Sequence, residues 1–442
     1  MAETHVAGAT GAADNPGTLP ERRAGGWSAA HRVVFRFVFC YLAVYIFPFP
    51  FGSYPGSLVP FGAYDRMWRA IVPWVGGHIL HLSKAITIFP NGSGDTTFNW
   101  VQILCFAALA AAATAVWTAL DRKRREYRTL HEWLRIYVRY ALAFTMLAYG
   151  MDKVVKLQFP DVGLGRLAEP FGNYSPFALL WTFMGYSTAY THFAGWGEVT
   201  GAVLLFFRRT TTLGALILCG VLANVVALNY FYDVPVKIFS SHLLLMAIFL
   251  AAADWRRIAN FFLLNRATTP AKSEFPLRAG WARIAHPAAK AAVLLTAAYF
   301  ALYPWSFARR AMRRNIARPP IYGLYQVESF TRGGEPVAWN DADWRRVIFE
   351  YRGAMEILSL DDTASYYGTK YDDAKNSVTL TAEGGKTPDG VLTYSRPDGE
   401  HLELRGNLNG QPAVIELRKV DASKFELVSR GFHWINEYPL YR

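Results

Sequence analysis

The stretch "LNYFYDVPVKIFSSHLLLMAIFLAAAD", residues 228–254, has the composition of a membrane helix except at its head. Asn229, Asp233, Lys237 and His242 all lie in that head. Lipid offers no water to such groups, so each is costly unless a partner satisfies it. The stretch therefore predicts a helix in a membrane whose polar head is either a site or a marker of the membrane boundary.

The whole chain has the composition of a membrane protein. Of its 442 residues, 52% are hydrophobic and 18% are charged, against about 25% charged in an ordinary soluble domain. The net charge of +12 would suggest nucleic acid in a soluble protein. Here the cations cluster beside apolar runs, as in "DRKRREYR" (121–128), which is typical of charge that orients membrane helices. We therefore expect membrane lipids, and no nucleic acid, as partners.

Seven segments are apolar enough to cross a hydrocarbon layer, which takes about 20 residues. They are residues 33–49, 98–119, 137–156, 191–207, 211–231, 236–253 and 286–305. Residues 67–86 are interrupted by Pro73 and are expected to lie in the interface. Residues 175–196 are either a re-entrant or a surface helix. Residues 1–30 form a tail expected to be disordered, and the first helix is expected to remain uncleaved.

Lys and Arg predict the orientation of the helices. With seven spans, the tail and the loops 121–135 and 254–285 fall on one side, the cytoplasm. The arginine-rich stretch 308–318 falls outside, against the rule, but the C-terminal part is still expected to be periplasmic. The predicted location is a bacterial inner membrane.

From residue 319 the pattern changes to short runs of alternating apolar and polar residues. "WRRVIFEY" (344–351), "HLELRGNL" (401–408) and "PAVIELRKV" (412–420) are examples. Period-2 runs between turn residues indicate an antiparallel meander. About eight strands in residues 319–442 favour a closed, lipocalin-like barrel over an open sheet with exposed edges. The fold class is thus a polytopic helical membrane bundle with a C-terminal all-β barrel.

Residues 132–254 resemble the DoxX family of four-helix membrane proteins. The resemblance lies in "RYALAFTMLAYGMDKVVKLQFP" (139–160), in "GWGEVTGAVLLFFRRTTTLGALIL" (195–218) and in the stretch quoted first. It implies a DoxX-like four-helix core. The two helices with an interfacial segment that precede it (31–131) and the barrel are departures from the family pattern, and a cytoplasmic loop, a seventh helix and a hinge (255–318) connect core and barrel. Some DoxX relatives are associated with thiosulfate oxidation coupled to quinone. A more distant likeness is to the membrane domain of vitamin K-dependent γ-carboxylases.

Four neighbouring helices of this topology bring ionisable groups to one depth near the outer leaflet. The predicted catalytic residues are Glu198, His242, Lys153 and Asp152. The predicted substrate-binding residues are Lys237, Asp233, Asn229, Arg139, His192, Asp95 and Thr96. Ionisable residues within a membrane indicate a functional site by default.

Several of these residues also have a purely structural explanation. Lys237 can snorkel to the headgroups, Asp233 lies where a helix cap belongs, and His242 can bond a carbonyl of its own helix. In "NGSGDTTF" (91–98), Asp95 and Thr96 either form an anion-binding nest or cap the next helix. Glu198 and His242 lie deeper in their helices, and that depth favours an outward-facing pocket.

Proton transfer is the chemistry that Glu198 and His242 suit best, because burial moves their pKa values toward neutrality. Lys153 and Lys237 could hold an anion or a quinone carbonyl. The sequence does not specify a cofactor; quinone is one candidate cofactor or substrate. Haem is an alternative for which neither CxxCH nor a bis-histidine spacing is present, and no metal is expected.

The sequence leaves two classes of function open. One is a redox-linked membrane enzyme acting with quinone or another lipid-soluble substrate. The other is a non-enzymatic lipid or small-molecule binding or assembly protein that uses the barrel, with a periplasmic protein as partner. The aromatic C-terminal stretch 428–442 either closes the barrel or docks on the helices.

Overall fold

The structure is a computed structural model that describes residues 26–50, 58–88, 91–269, 282–315, 318–338, 344–438 and 440. Most of the predicted N-terminal tail lies outside these residues. The chain divides into two compact units. The first is formed mainly by residues within Met1–Leu82 and Val101–Ile136, and the second mainly by Ser83–Trp100, Tyr137–Lys272 and Pro276–Arg442.

The first unit contains α1 (Ala29–Ile46), α2 (Leu58–His78), most of α3 (Thr97–Leu120) and the start of α4 (Arg128–Val154). The Ser28 hydroxyl begins α1 by accepting a hydrogen bond from the His31 amide. Arg36 lies two turns into α1 and is buried. Its guanidinium donates to the Tyr127 hydroxyl, the Thr118 hydroxyl and the Asp121 carbonyl. These bonds satisfy the buried cation and tie α1 to the end of α3.

The remaining helices belong to the second unit. They are the rest of α4, then α5 (Leu164–Ala168), α6 (Pro176–Tyr186), α7 (Thr188–Leu205), α8 (Thr211–Phe231), α9 (Lys237–Ala252), α10 (Trp255–Phe262) and α11 (Ala282–Asn315). Gly201 of α7 and Gly214 of α8 let these two helices approach closely. A Cβ on Gly214 would lie 2.9 Å from the Gly201 carbonyl oxygen, so small residues are required at this crossing.

The prediction of seven spanning helices was too high. Among the described residues, three helices are long and apolar enough to cross a membrane, α1, α3 and α8 with its preceding turn. A fourth is possible if α9 and α10, bent by 75° at a short break, form one span. The predicted span 137–156 is part of α4, which carries many charged residues, including Arg135 and Asp152. The ambiguous segment 175–196 is split by Ser187 into α6 and the first half of α7.

The C-terminal part is a closed antiparallel barrel, as the strand pattern predicts. Its strands are β1 (Gly323–Arg332), β2 (Glu335–Pro336), β3 (Trp344–Tyr351), β4 (Ala354–Ser359), β5 (Ala364–Asp372), β6 (Ser377–Ala382), β7 (Gly390–Ser395), β8 (His401–Leu408) and β9 (Gln411–Val420). Consecutive strands pair from β3 to β9, and β1 pairs with both β3 and β9, which closes eight strands. The short β2 adds only a two-residue pairing to β1.

The barrel interior is filled by its own side chains. Inward-facing residues from every long strand except β5 form one buried apolar cluster, which includes Tyr325, Phe349, Met355 and Leu404. The strand β5 contributes only the half-buried Tyr367 and Tyr371. The barrel closes through β1 and β9, whereas the aromatic stretch after β9 remains exposed, with Trp434 91% accessible. The described part of that stretch therefore does not close the barrel.

One outer face of the barrel packs on the helical part through α5. Leu164 and Ala168 form a small buried cluster with Leu324, Ile348 and Leu358 of the barrel. Polar contacts surround this cluster: the Leu164 amide donates to Glu350, and the Arg346 guanidinium donates to the Ala168 carbonyl. The contact is therefore specific, with both apolar and hydrogen-bonded parts.

Candidate functional site

The central feature of the helical part is a buried ion pair between α4 and α7. The Lys153 ammonium lies 2.9 Å from Glu198 Oε2. The side chains of Lys153 and Glu198 are only 8% and 3% accessible. Two charges withdrawn from water this far are stable only because each has the other as partner. Of the predicted catalytic residues, these two are brought into direct contact.

Glycines place the two helices close enough for this pair to form. A Cβ on Gly150 of α4 would lie 2.9 Å from the Gly195 carbonyl oxygen, and one on Gly195 of α7 would lie 2.8 Å from the Gly150 carbonyl oxygen. Gly150 precedes Lys153 by three residues and Gly195 precedes Glu198 by three. Residues three apart lie on one face of a helix. The crossing point and the ion pair therefore share one interface.

Aromatic rings flank the cation of this pair. The Lys153 ammonium lies 5.9 Å from the ring centres of both Tyr149 and Phe159. Phe159 in turn packs against Trp181 of α6, with ring centres 4.8 Å apart. A cation over aromatic faces gains attraction from the ring quadrupoles. The pair thus lies in surroundings that are partly aromatic.

His242 of α9 is buried, and its Nδ1 lies 2.7 Å from the Ile238 carbonyl oxygen of its own helix. This contact is the structural explanation that the sequence suggests for a buried histidine at this position. On the same helix, Phe239 packs against Tyr149 of α4, with ring centres 5.9 Å apart. The N-terminal part of α9 therefore reaches the surroundings of the ion pair, while a direct role of His242 beside Glu198 stays a prediction.

Asp95, Asp233 and Lys237 meet at the start of α9. The two Asp95 carboxylate oxygens accept hydrogen bonds from the backbone amides of Lys237 (2.7 Å) and Ile238 (3.0 Å). The Lys237 ammonium lies 2.7 Å from Asp233 Oδ1 and 3.9 Å from Asp95 Oδ2. Asp95 therefore caps α9 from a distant part of the chain, and it occupies the helix end that an anionic ligand would otherwise favour.

Thr96 has a capping role of its own, at α3. Its hydroxyl accepts from the Asn99 amide, while Asn99 Oδ1 accepts from the Thr96 amide. This reciprocal arrangement is a capping box at the first turn of α3. These contacts support the helix-cap alternative for "NGSGDTTF". Asp95, however, caps α9 and not α3.

The remaining predicted site residues are Arg139, Asp152, His192 and Asn229. Arg139 lies fourteen residues before Lys153 on α4, which is about 21 Å along a helix; it contacts the Thr211 hydroxyl and the ring of Tyr140. Arg139 is therefore distant from Lys153 along α4, and its part in substrate binding stays a prediction. Asp152 and His192 are half-buried. Asn229 is buried, and its Nδ2 has no hydrogen-bond partner among the described residues.

Two features were missed by sequence reasoning. Tyr149 and Phe159 belong to the surroundings of Lys153, yet nothing distinguishes them from other aromatic residues in this Tyr- and Phe-rich chain. Arg36 and Tyr127 form a buried hydrogen-bonded pair in the first unit. An arginine inside an apolar run is itself an indication of a partner, so Arg36 could have been found.

Titratable groups with shifted pKa values lie in the barrel. Burial raises the pKa of Glu350, although amides of Leu164 and Gly165 act in the opposite direction. On the barrel surface, His401 Nδ1 lies 2.7 Å from Asp398 Oδ2, and this hydrogen bond raises the pKa of the imidazole. No group of three or more potential metal ligands occurs among the described residues.

Fold and site together define a class: a chain with three or four helices of membrane-spanning length among its described residues, a buried Lys–Glu pair between α4 and α7, and a closed eight-stranded barrel. No family model matches the chain, and no solved structure matches it. The chain is similar to the uncharacterised protein YwoB of Bacillus subtilis (strain 168), with 39% identity over 124 residues that cover 28% of this chain and 79% of YwoB. Over that region it belongs to the same family as YwoB.

Proposed function

We propose that this protein is a redox-linked enzyme of a bacterial inner membrane whose Lys153–Glu198 pair binds a lipid-soluble quinone and exchanges protons with it. The observation that carries the proposal is the buried ion pair itself, 2.9 Å between charged atoms at a tight helix crossing. A pair of this kind is no better for stability than well-packed apolar residues. Its presence in apolar surroundings is therefore more readily explained by a function.

The chemistry of the pair suits a quinone. The Lys153 ammonium can donate a hydrogen bond to a ring carbonyl and pass its proton to that oxygen as the ring is reduced. Reduction of a quinone to a quinol takes up two electrons and two protons. In this proposal Lys153 supplies one proton and is reprotonated from water with the Glu198 carboxylate as relay, the second ring oxygen takes its proton from water, and a separate redox protein supplies the electrons. The rings of Tyr149 and Phe159 offer faces on which a planar ligand can stack.

Membrane location is part of the proposal and has two supports. The first is the set of three or four helices of spanning length. The second is α10, which turns by 75° from α9 and exposes Phe261 and Phe262 at 65% each, next to Arg256 and Arg257. A short helix with exposed apolar rings and adjacent cations is suited to lie in the membrane interface.

The proposed orientation has a direct test. Cysteines introduced at Asp389 and Arg125, in a chain whose three native cysteines are changed to alanine, are exposed to an impermeant thiol reagent in intact cells. Labelling at position 389 alone is expected for a periplasmic barrel. Labelling at position 125 alone would place the barrel in the cytoplasm and contradict the orientation.

The packing of the barrel favours the helical site over the barrel as the place of ligand binding. A lipid carrier needs an interior cavity, whereas the barrel interior holds a continuous cluster of buried side chains that includes Trp344 and Phe330. Large side chains of this kind leave a small barrel filled. In this proposal the barrel serves as a folded module docked on α5.

Quinone titration tests the proposed function. The purified full chain is titrated with a short-chain quinone, and binding is followed by quenching of tryptophan fluorescence. Lys153→Met and Glu198→Gln should each weaken binding at least about tenfold, since a hydrogen bond to a charged group contributes about 1.5–3 kcal/mol. Lys156→Met, which removes a lysine one turn further along the chain, should leave the affinity unchanged. Equal affinities in all four proteins would refute the proposal.

A further inference from the structure

A groove on the surface of the first unit runs between α1 and α3. Its walls are apolar or small along most of their length, and the groove encloses about 910 Å³. The lining residues are Val33, Val34, Phe37, Ala111, Thr114, Ala115, Thr118, Ala119 and Arg122. The Lys153–Glu198 pair belongs to the second unit, so this groove is a separate feature with its own chemistry.

The dimensions of the groove match a lipid tail. From Ala111 to Ala119 the α3 wall extends about 12 Å at the helical rise per residue. One leaflet of a bilayer has a hydrocarbon depth of about 15 Å. The small alanines on the α3 side leave open the space that larger side chains would fill, and Val34 on the α1 side is 59% accessible. One acyl chain lying along the helix therefore fits the groove.

One end of the groove is strongly basic. Arg122 is part of the lining, and the exposed residues Lys123, Arg124 and Arg125 follow it directly. Arg32 of α1 joins the same end, since its guanidinium donates to the Arg124 carbonyl at 3.0 Å. Basic pockets between membrane helices on the cytoplasmic side are suited to anionic lipid headgroups. The groove thus combines an apolar trough with cations at one mouth.

We propose that this groove is a binding site for one anionic phospholipid. The acyl chain lies between α1 and α3, and the phosphate lies at the Arg122 end. The inference depends on α1 and α3 lying in a membrane, which is part of the proposed function, but it does not depend on quinone binding. Its charge pattern specifies the headgroup class, because a neutral lipid would gain nothing from the cations.

Native mass spectrometry of the full chain can test the site. The protein is released from nanodiscs of phosphatidylglycerol or of phosphatidylcholine, and the number and affinity of retained lipids are measured. We expect one phosphatidylglycerol held more tightly than the rest. Arg122→Gln should weaken it about fivefold, the effect of one cation at a membrane surface. Lys123→Gln, at a neighbouring exposed position outside the lining, should have a smaller effect.

A second pair of variants tests the trough. Ala115→Leu places a side chain into the groove and should displace the retained lipid, whereas Ala112→Leu, on the same helix but outside the lining, should not. Glu198→Gln should retain the lipid, which separates a failure of this proposal from a failure of the quinone proposal. Equal retention of phosphatidylcholine, or retention that Ala115→Leu leaves unchanged, would overturn the inference. Competition by inorganic phosphate alone would assign the cations to a free anion and would also overturn it.

Discussion

Breaking the Lys153–Glu198 pair should destabilise the protein far more than breaking an exposed ion pair. Either Lys153→Met or Glu198→Gln leaves the remaining partner charged in a site where both side chains are less than 10% accessible. Removal of one member of a buried pair costs about 3–5 kcal/mol. Glu198→Gln is expected at the lower end of that range, because its amide oxygen can still accept a hydrogen bond from Lys153.

The corresponding change in melting temperature follows from the size of the chain. Unfolding has an entropy of about 2.1 cal/mol/K per residue, which over 442 residues is about 0.9 kcal/mol/K. A loss of 3–5 kcal/mol therefore lowers Tm by about 3–5 °C. The Lys156–Asp161 pair provides a control, because the Asp161 side chain is 86% accessible. Asp161→Asn should lower Tm by no more than about 1 °C.

The double variant Lys153→Met with Glu198→Leu separates the charge from the packing. It removes both ions and leaves none unpaired, so its loss in stability should be smaller than the sum of the two single losses by more than about 1 kcal/mol. The assay is thermal unfolding of the purified proteins in one detergent, followed by circular dichroism. Strictly additive losses, or single variants no worse than Asp161→Asn, would show that the two side chains do not form a buried pair.

Three further predictions concern other parts of the molecule. Gly150→Ala should destabilise the helices by about 1–3 kcal/mol, because its Cβ would meet the α7 backbone. Gly197→Ala should not destabilise them, because its Cβ has ordinary contacts. Thermal unfolding compares the two variants. The raised pKa of His401 stabilises the barrel below pH 6.5, and this contribution is lost as pH rises through the folded-state pKa. His401→Gln should therefore flatten the pH dependence of barrel unfolding between pH 6 and 8. An unchanged slope would contradict this prediction. The raised pKa of Glu350 likewise makes docking on α5 strongest below the ordinary value of 4.5 and weaker above the folded-state pKa. The protection of residues 164–168 against hydrogen exchange, relative to the intrinsic rate at each pH, should therefore fall as pH rises in the parent chain and change less in Glu350→Gln. Identical protection profiles would refute this.

The β part of the fold was the most predictable from sequence. Alternation in β8 and β9 is nearly complete, and both strands bury one face as expected. The strand β5, "ASYYGTKYD", is not predicted by such alternation, because it has no large aliphatic residue and exposes most of its length. Pairing with β4 and β6 determines its structure, and such pairing cannot be deduced from the strand alone.

In the helical part, the local sequence pattern does not predict which residues contact each other. Glu198 and Lys153 were both selected because they are charged residues in apolar helices, and they do meet. Their partnership depends on Gly150 and Gly195 forty-five residues apart, a tertiary contact that no local pattern encodes. Asp95 illustrates the same limit, since its carboxylate caps α9 more than 140 residues later in the chain.

Photo-crosslinking with an azido-quinone tests the central claim most directly. The full chain in membranes is illuminated with the probe, digested, and the labelled peptides are identified by mass spectrometry. Binding at the Lys153–Glu198 pair predicts labels on α4 and α7 near Tyr149 and Val199, which an excess of unlabelled quinone abolishes and Glu198→Gln strongly reduces. Labels confined to the barrel or to the α1–α3 groove, or labels that Glu198→Gln leaves unchanged, would contradict the account.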